Sequence, residues 1–244
     1  MKKLSVITVT YNAVETLDRT IASVKEQSYE EIEHIIVDGN SSDGTLSLIK
    51  KHEREKLTWI SEPDKGLYDA MNKGIALATG DYLCFLNAGD TFYSADTIKL
   101  MFKSIDNLPY GFPEIIYGET AIVNNKGSFL HMRRLSTPIK LTWESFKQGM
   151  VVCHQSFIVS KEMAEPYDLK YRFSSDFDWS IRMLQKANNI FNTGIILINY
   201  LNEGMTTANR KASLKERYHI MVKHYGHLST FIHHLWFVVR AVIK

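Results

Sequence analysis

Four times between Leu4 and Leu86 an apolar, β-branched run gives way to residues at helical spacing, and this alternation limits the fold more than any other feature of the 244-residue chain. "LSVITVTYN" (Leu4 to Asn12) precedes Val14, Leu17, Ile21 and Val24. "EIEHIIVDG" ends on Asp38 and Gly39, then passes through the turn "NSSDGT" to Leu46 and Ile49. "LTWISE" precedes the helical stretch "GLYDAMNKGIALA", and "DYLCFL" runs into Asn87, Ala88, Gly89 and Asp90 ahead of a helix beginning near Ser94. Such an order predicts an α/β fold, a mainly parallel sheet flanked by helices, with ligands at the carboxyl ends of its strands. The polar tips just named all fall at such ends.

Beyond Pro109 the pattern loosens. "EIIYGETAIV" and "GSFLHM" read as an antiparallel pair, "TWESFKQG" as a short helix, "CHQSFIVS" as a strand, "SSDFDWSIRMLQKA" as a helix and "IFNTGIILINYL" as the strand that closes the sheet. With 45% hydrophobic residues the chain can bury a sizeable core, and no repeat or Gly/Ser linker divides it. Residues 1–205 are expected to form one domain and 206–244 a basic, amphipathic helical extension. Cys84 and Cys153 both lie in apolar stretches, which argues against a disulfide framework or a thiolate zinc site and for a reducing compartment. "MKKLSVITVTYN" has no small-residue cleavage site and reads as a first strand, so a cytoplasmic location is expected.

Charge is unevenly spread. Seven basic residues against Glu216 give +6 for residues 210–244, which leaves −4 for residues 1–209 of a chain whose net charge is +2. Phe231, Leu235, Trp236, Phe237 and Val239 sit in that basic tail, interrupted too early to span a bilayer. An interfacial helix on the inner face of the cytoplasmic membrane fits this pattern, as does a helix docked on the domain or on a homodimer partner. No nucleic-acid partner is expected.

Neither G-x-G-x-x-G nor G-x-x-x-x-G-K-[ST] occurs, so a dinucleotide or P-loop cradle is excluded. The ordered set "VITVTYN" at 6–12, "IIVDGNSSDGT" at 35–45, "SEPDKGLYDAMNKGIALATGDYLCFLNAGD" at 61–90 and "DFDWSIRML" at 176–184 resembles the family 2 glycosyltransferases of the GT-A fold. "FLNAGD" is similar to the form found in bacterial polysaccharide enzymes of the colanic-acid and O-antigen type, where relatives carry "FLDSDD". The resemblance implies an inverting transferase. Its donor would be a nucleotide-diphosphate sugar, UDP-linked by expectation, and its acceptor a glycan or a lipid-diphosphate-linked sugar of surface polysaccharide assembly. Two other readings compete: a catalytically silent sugar-nucleotide-binding scaffold, and a nucleotidyltransferase, which "TYNAVETL" disfavours because it lacks a glycine or basic residue.

Asp38 ends a strand, where its carboxylate can accept the imide N–H of a base, and the resemblance implies that role; the alternative is a cap on its own turn. Thr10, Tyr11 and Asn12 should stand on the neighbouring strand end, offering a ring to stack on and an amide to pair with. Asp64, Lys65 and Asn72 surround a helix start, a setting that suits phosphate oxygens. The resemblance suggests that Asp64 and Lys65 line the nucleotide and that Asn72 orders the site, against the alternative of an ordinary capped helix. Tyr68 and Met71 read as packing residues.

A departing diphosphate gains negative charge that a divalent cation offsets, and hard cations take oxygen ligands. The family implies Mn²⁺ or Mg²⁺ at this strand end, held by an Asp-x-Asp motif. Here Asn87 and Gly89 occupy the acidic places and Asp90 remains as the metal carboxylate. An acceptor hydroxyl needs a base; alignment with the family gives Asp176 that role, with Asp178 as second candidate and Ser175 where relatives often carry Glu. The alternative is an acidic first turn that complements the helix dipole. His154 and Gln155 are candidates for contact with the acceptor, diphosphate or metal, or else a satisfied core pair.

Overall fold

The computed structural model describes residues 1–202 and 209–242. The strands are β1 (Leu4–Thr10), β2 (Ile32–Asp38), β3 (Leu57–Ser61), β4 (Tyr82–Phe85), β5 (Thr91–Phe92), β6 (Ile115–Val123), β7 (Phe129–Met132), β8 (Phe157–Ser160) and β9 (Ile190–Leu201). The α-helices are α1 (Leu17–Lys25), α2 (Thr45–Lys51), α3 (Leu67–Leu77), α4 (Thr97–Ile105), α5 (Ser175–Lys186) and α6 (Arg210–Val242), with 3-10 turns at Trp143–Gln148 and His154–Ser156. The four strand–helix alternations expected from the sequence all form. Val14 lies outside α1 and is exposed, and the strand expected over 153–160 starts only at Phe157, because His154–Ser156 coil into the second 3-10 turn.

One sheet runs in the order β3-β2-β1-β4-β8-β6-β9-β5, with β7 paired to β6. β3, β2, β1 and β4 are parallel neighbours. β8 is antiparallel to both β4 and β6, so β6 and its parallel partner β9 point the same way as β1 and β4. The carboxyl ends of β1, β4, β6 and β9 therefore share one edge. β8 runs the other way, so the His154–Ser156 turn at its amino end arrives at that edge too.

Residues alternating along the strands feed opposite faces. Ile7, Val9, Ile35 and Val37 pack with Tyr68 and Met71 of α3 and with Phe177, Trp179 and Ile181 of α5. Val6, Tyr82 and Cys84 pack with Val24 of α1 and with Ile98, Met101 and Phe102 of α4. Both cysteines are free and buried, as expected, and burial pushes the Cys84 thiol up to about 12. Gly74 of α3 sits so close to β1 that a Cβ there would meet Ile7 Cγ2 at 2.4 Å.

The expected boundary between residues 205 and 206 lies outside the described residues. The helix after it is docked: Ile220 and Met221 join the core of α3 and α5, and Glu216 accepts hydrogen bonds from the backbone N–H groups of Arg172 (2.9 Å) and Phe173 (2.8 Å). At Gly226 the backbone leaves helical geometry (φ 78°, ψ 166°), and the remaining segment doubles back, bringing the His234 and Tyr218 rings within 5.0 Å. Leu228, Phe231, Ile232, Leu235, Trp236 and Val239 line the outer side of this segment, and Leu228 is 75% exposed. No helix among the described residues is long and apolar enough to cross a membrane.

Candidate active site

A cavity of about 610 Å³ opens at the shared carboxyl edge. It lies where the strand order reverses, since the chain proceeds from β1 outward to β2 and β3 and then returns to place β4 on the other side of β1, the position at which open α/β sheets hold ligands. Thr10 and Tyr11 reach it from the end of β1, Asn87 and Asp90 from the end of β4, His154 and Gln155 from the turn before β8, and Asp176 from the start of α5. Seven of the residues expected from the sequence are brought together here.

The β4 end is shaped by Gly89. Its φ is +100°, a conformation costly to any residue with a Cβ, and a Cβ there would come within 2.6 Å of Leu201 Cδ2. The turn points Asp90 into the protein, where it is 3% exposed. Its Oδ1 accepts the N–H of Leu201 at 2.8 Å and its Oδ2 accepts Nε2 of Gln155 at 2.8 Å. Burial outweighs these bonds and pushes the carboxyl up to about 7. Gln155 is held in turn by the Cys153 thiol, which donates to its Oε1 at 3.0 Å.

Two buried oxygens beside Asp90 lack protein partners: Asn87 Oδ1 and Thr10 Oγ1. Unpartnered buried polar atoms cost about 1–3 kcal/mol each, and these two belong to residues that line the cavity, where a polar ligand could complete them. Among the described residues no three His, Cys, Asp or Glu side chains cluster as a metal cage. The set present fits a hard divalent cation that takes few protein ligands, Asn87 Oδ1 and an Asp90 oxygen, and completes its shell with substrate phosphate and water.

Asp176, also lining the cavity, is half-buried, and its Oδ1 accepts the hydroxyl of Tyr68 at 2.9 Å. Burial together with the neighbouring Asp176 charge raises the Tyr68 phenol well above its usual range, so it remains a donor. His154 is stacked on Phe85 at 5.0 Å and shares a hydrogen bond of 2.6 Å with the Tyr167 hydroxyl; burial lowers its proton affinity and favours the neutral ring. Asn72 does not reach the cavity. It holds the Tyr167 backbone at both ends, donating to the carbonyl at 3.1 Å and accepting the N–H at 2.7 Å, which orders the ring against Tyr68.

Other expected residues lie apart from the cavity. Asp178 faces the far side of α5, is fully buried, and accepts hydrogen bonds from Arg182 Nε, Lys223 Nζ and His224 Nε2. Burial opposes its charge, yet these three partners hold its carboxyl well below the usual carboxylate range. It fastens α6 to α5 and has no free oxygen directed at a substrate. Asp38 is likewise fully buried: Ser41 donates through both N–H and hydroxyl and Ser61 through its hydroxyl, which is the turn cap weighed above as the alternative. Asn12, at φ 49°, ties the same turn through the N–H of Ser42. Asp64 caps the N–H of Gly66, while Lys65 extends its side chain into solvent. Asp64 still adjoins Tyr11, because a Cβ on Gly39 would touch both. A shelf of Tyr11, Gly39 and Asp64 thus extends beside the cavity.

Sequence reasoning missed several lining residues, Tyr68, Arg133 and Arg217 among them. Tyr68 was expected only to pack, and its helical spacing gives no sign of its hydroxyl's partner 108 positions away. Arg133, just past β7, and Arg217, on α6, carry no local motif; the antiparallel β6–β7 pair and the docking of α6 bring them in.

Residues 5–165 match Glycosyl transferase family 2. An uncharacterized glycosyltransferase of Mycobacterium tuberculosis is 35% identical over 184 residues, 73% of this chain and 68% of its own. WfgD of Escherichia coli, a UDP-Glc:alpha-D-GlcNAc-diphosphoundecaprenol beta-1,3-glucosyltransferase, is 24% identical over 225 residues, 89% of this chain and 85% of its own. Among solved structures, S. aureus TarS 1–349 in complex with UDP-GlcNAc aligns with a TM-score of 0.69 at 19% identity, covering 90% of this chain and 64% of that one. The mannosyltransferase PcManGT from Pyrobaculum calidifontis, in complex with GDP-Man and Mn²⁺, aligns with a TM-score of 0.63 at 16% identity, covering 91% of this chain and 64% of that one. At such identities the likeness speaks for the fold, which is GT-A. The chain spans less than two thirds of either solved chain.

Proposed function

The chain belongs to glycosyl transferase family 2 and is a glycosyltransferase; from that premise we propose that it transfers a sugar, with inversion, from a UDP-linked donor to a glycan or lipid-diphosphate-linked acceptor in bacterial surface polysaccharide assembly. One observation carries this reading: Asp176 faces the same cavity as Asp90 and the unpartnered Asn87 Oδ1. A base and an oxygen-ligand set thus line one space large enough for an activated monosaccharide.

In this reading Asp176 takes the proton of the acceptor hydroxyl, whose oxygen attacks the anomeric carbon as the bond to the diphosphate breaks on the other face. A single displacement by one base inverts the anomeric centre. Tyr68 holds Asp176 in place, and Asn87, Asp90 and Thr10 receive the diphosphate end. A divalent cation bound there supplies charge stabilisation to the leaving oxygens. The nucleoside lies toward Tyr11 on the shelf with Gly39 and Asp64, and pairing of its base with Asp38 requires the Ser41 hydroxyl to rotate away. Lys65 is free to swing onto the nucleotide. Membership of the family favours this enzyme over the silent scaffold.

The acceptor named for WfgD is linked to a lipid through a diphosphate. The outer apolar stripe of the segment after Gly226, set in a tail of charge +6, suits an anionic bilayer surface where such acceptors reside. Co-sedimentation of the full chain with anionic but not with zwitterionic vesicles is the expected outcome.

Thermal-shift measurements with UDP-, GDP- and dTDP-sugars and Mn²⁺ identify the donor, because ligand binding to the folded state raises apparent stability. With that donor, Asp176→Asn should abolish transfer while leaving nucleotide affinity nearly intact. Unchanged turnover removes Asp176 from the mechanism.

A further inference from the structure

Arg217 enters the cavity from α6, outside the stretch that matches the family. Its Nε is buried with no hydrogen-bond partner. Among the described residues no carboxylate lies within ion-pair distance of its guanidinium, whose flat face rests 5.8 Å from the centre of the Phe177 ring. Arg217 as a whole is half-buried, and a buried Nε–H with nothing to donate to is costly unless a ligand completes it.

The stretch of α6 that carries Arg217 is also held in advance of any ligand. On one side Ser213 bonds Ser174 at 2.9 Å, and next to Arg217 the Glu216 carboxylate grips the backbone of Arg172 and Phe173. On the other side Lys223 and His224 are fixed on Asp178. α6 cannot slide without breaking these contacts, so the point from which Arg217 reaches the cavity is set before a ligand binds. Its fork of donors matches a phosphate, and a half-buried arginine against an aromatic ring is suited to that recognition.

We propose that Arg217 binds a phosphate group of a substrate inside the transferase cavity. The proposal rests on the transferase reading for what enters the cavity. Two substrate phosphates are available there: the donor diphosphate, and a diphosphate joining the acceptor sugar to a lipid. Arg217 neighbours Tyr68 and Asp176, the side on which an acceptor hydroxyl must meet its base. Arg133 neighbours Cys153 and Tyr200, and Tyr200 lies near Asp90 and Asp176 alike. The place of Arg217 beside the base assigns the acceptor phosphate to it.

Titration calorimetry of the full chain with UDP, and then with inorganic pyrophosphate on UDP-saturated protein, tests the proposal without any turnover. The expected result is that pyrophosphate binds with UDP in place, and that Arg217→Gln weakens it at least about tenfold while UDP affinity stays within about twofold. Arg217→Lys, which keeps the charge but not the fork, should fall between and shows that the site survives substitution. If pyrophosphate instead competes with UDP, and Arg217→Gln weakens UDP itself about tenfold, the phosphate is the donor's and Arg217 still binds it. Equal affinities of wild type and Arg217→Gln for both ligands, or no pyrophosphate binding under either condition, overturn the proposal. Loss of sugar transfer with phosphate binding retained speaks against the reaction assigned above, not against this role of Arg217.

Discussion

The Tyr68 hydroxyl donates to Asp176 Oδ1 over 2.9 Å, joining α3 to the first turn of α5 and setting which face the carboxylate turns to the cavity. Tyr68→Phe removes that hydrogen bond and little else. It should lower kcat by about tenfold to a hundredfold, the range of a misplaced general base, while UDP affinity stays unchanged. Steady-state kinetics and calorimetry separate the two. A rise in KM alone would place Tyr68 on the substrate instead of on the base.

Asp90 makes stability depend on pH. Its carboxyl is raised from 3.8 to about 7, so between those values the folded protein holds a proton that the unfolded chain has released. Stability from this group is therefore present at low pH and is lost as pH rises toward about 7, by on the order of a few kcal/mol. Melting temperatures of wild type and Asp90→Asn between pH 5 and pH 8 check this (roughly the titration range of such a group). The variant should lose less stability as pH rises, and Mn²⁺ with UDP should narrow the difference by stabilising the ionised form.

Asp178 acts in the opposite sense. Its carboxyl is held below the ordinary range by His224, Lys223 and Arg182 despite burial, so its stabilisation is present above the unfolded value and fades as pH falls below it. Asp178→Asn removes the charge and sets an NH2 against either Arg182 or the Lys223–His224 pair. It should cost about 3 kcal/mol in chemical denaturation, the low end for a broken buried pair because Lys223 and Arg182 retain solvent contact. Limited proteolysis should then cut within α6. An unaltered digestion pattern would mean that the apolar contacts of Ile220 and Met221 suffice to hold it.

Gly89→Ala places a Cβ 2.6 Å from Leu201 Cδ2 on backbone at φ +100°. Strain and overpacking together should cost about 2–4 kcal/mol. Leu201 also supplies the N–H that Asp90 accepts, so UDP-dependent stabilisation should fall as well. A thermal-shift series with and without UDP reads both effects.

The strand and helix alternation up to Leu86 was legible because each run buries one face and ends on turn residues. Several of the expected residues share the cavity as well: Asn87 with Asp90, His154 with Gln155, and Asp176 arrive from three separate stretches of chain. What escaped was direction. Asp178 stands two residues after Asp176, about 200° round the helix, and so faces α6 instead of the cavity. Asp38 has the right position and type, but neighbouring serines saturate it, and no spacing rule counts donors contributed by a folded turn. Arg217 depends on how a helix beyond the sheet docks, which is decided by Asp178, Glu216 and Ile220 acting together.

Gly226 divides the last helix into two rods with unequal duties. The inner rod is fastened to the sheet's helices and delivers a guanidinium to the cavity, while the outer rod turns an apolar flank to the surroundings. Exchanges along that outer flank leave the cavity lining untouched, whereas exchanges in the inner rod reach Arg217 and the contacts that seat it.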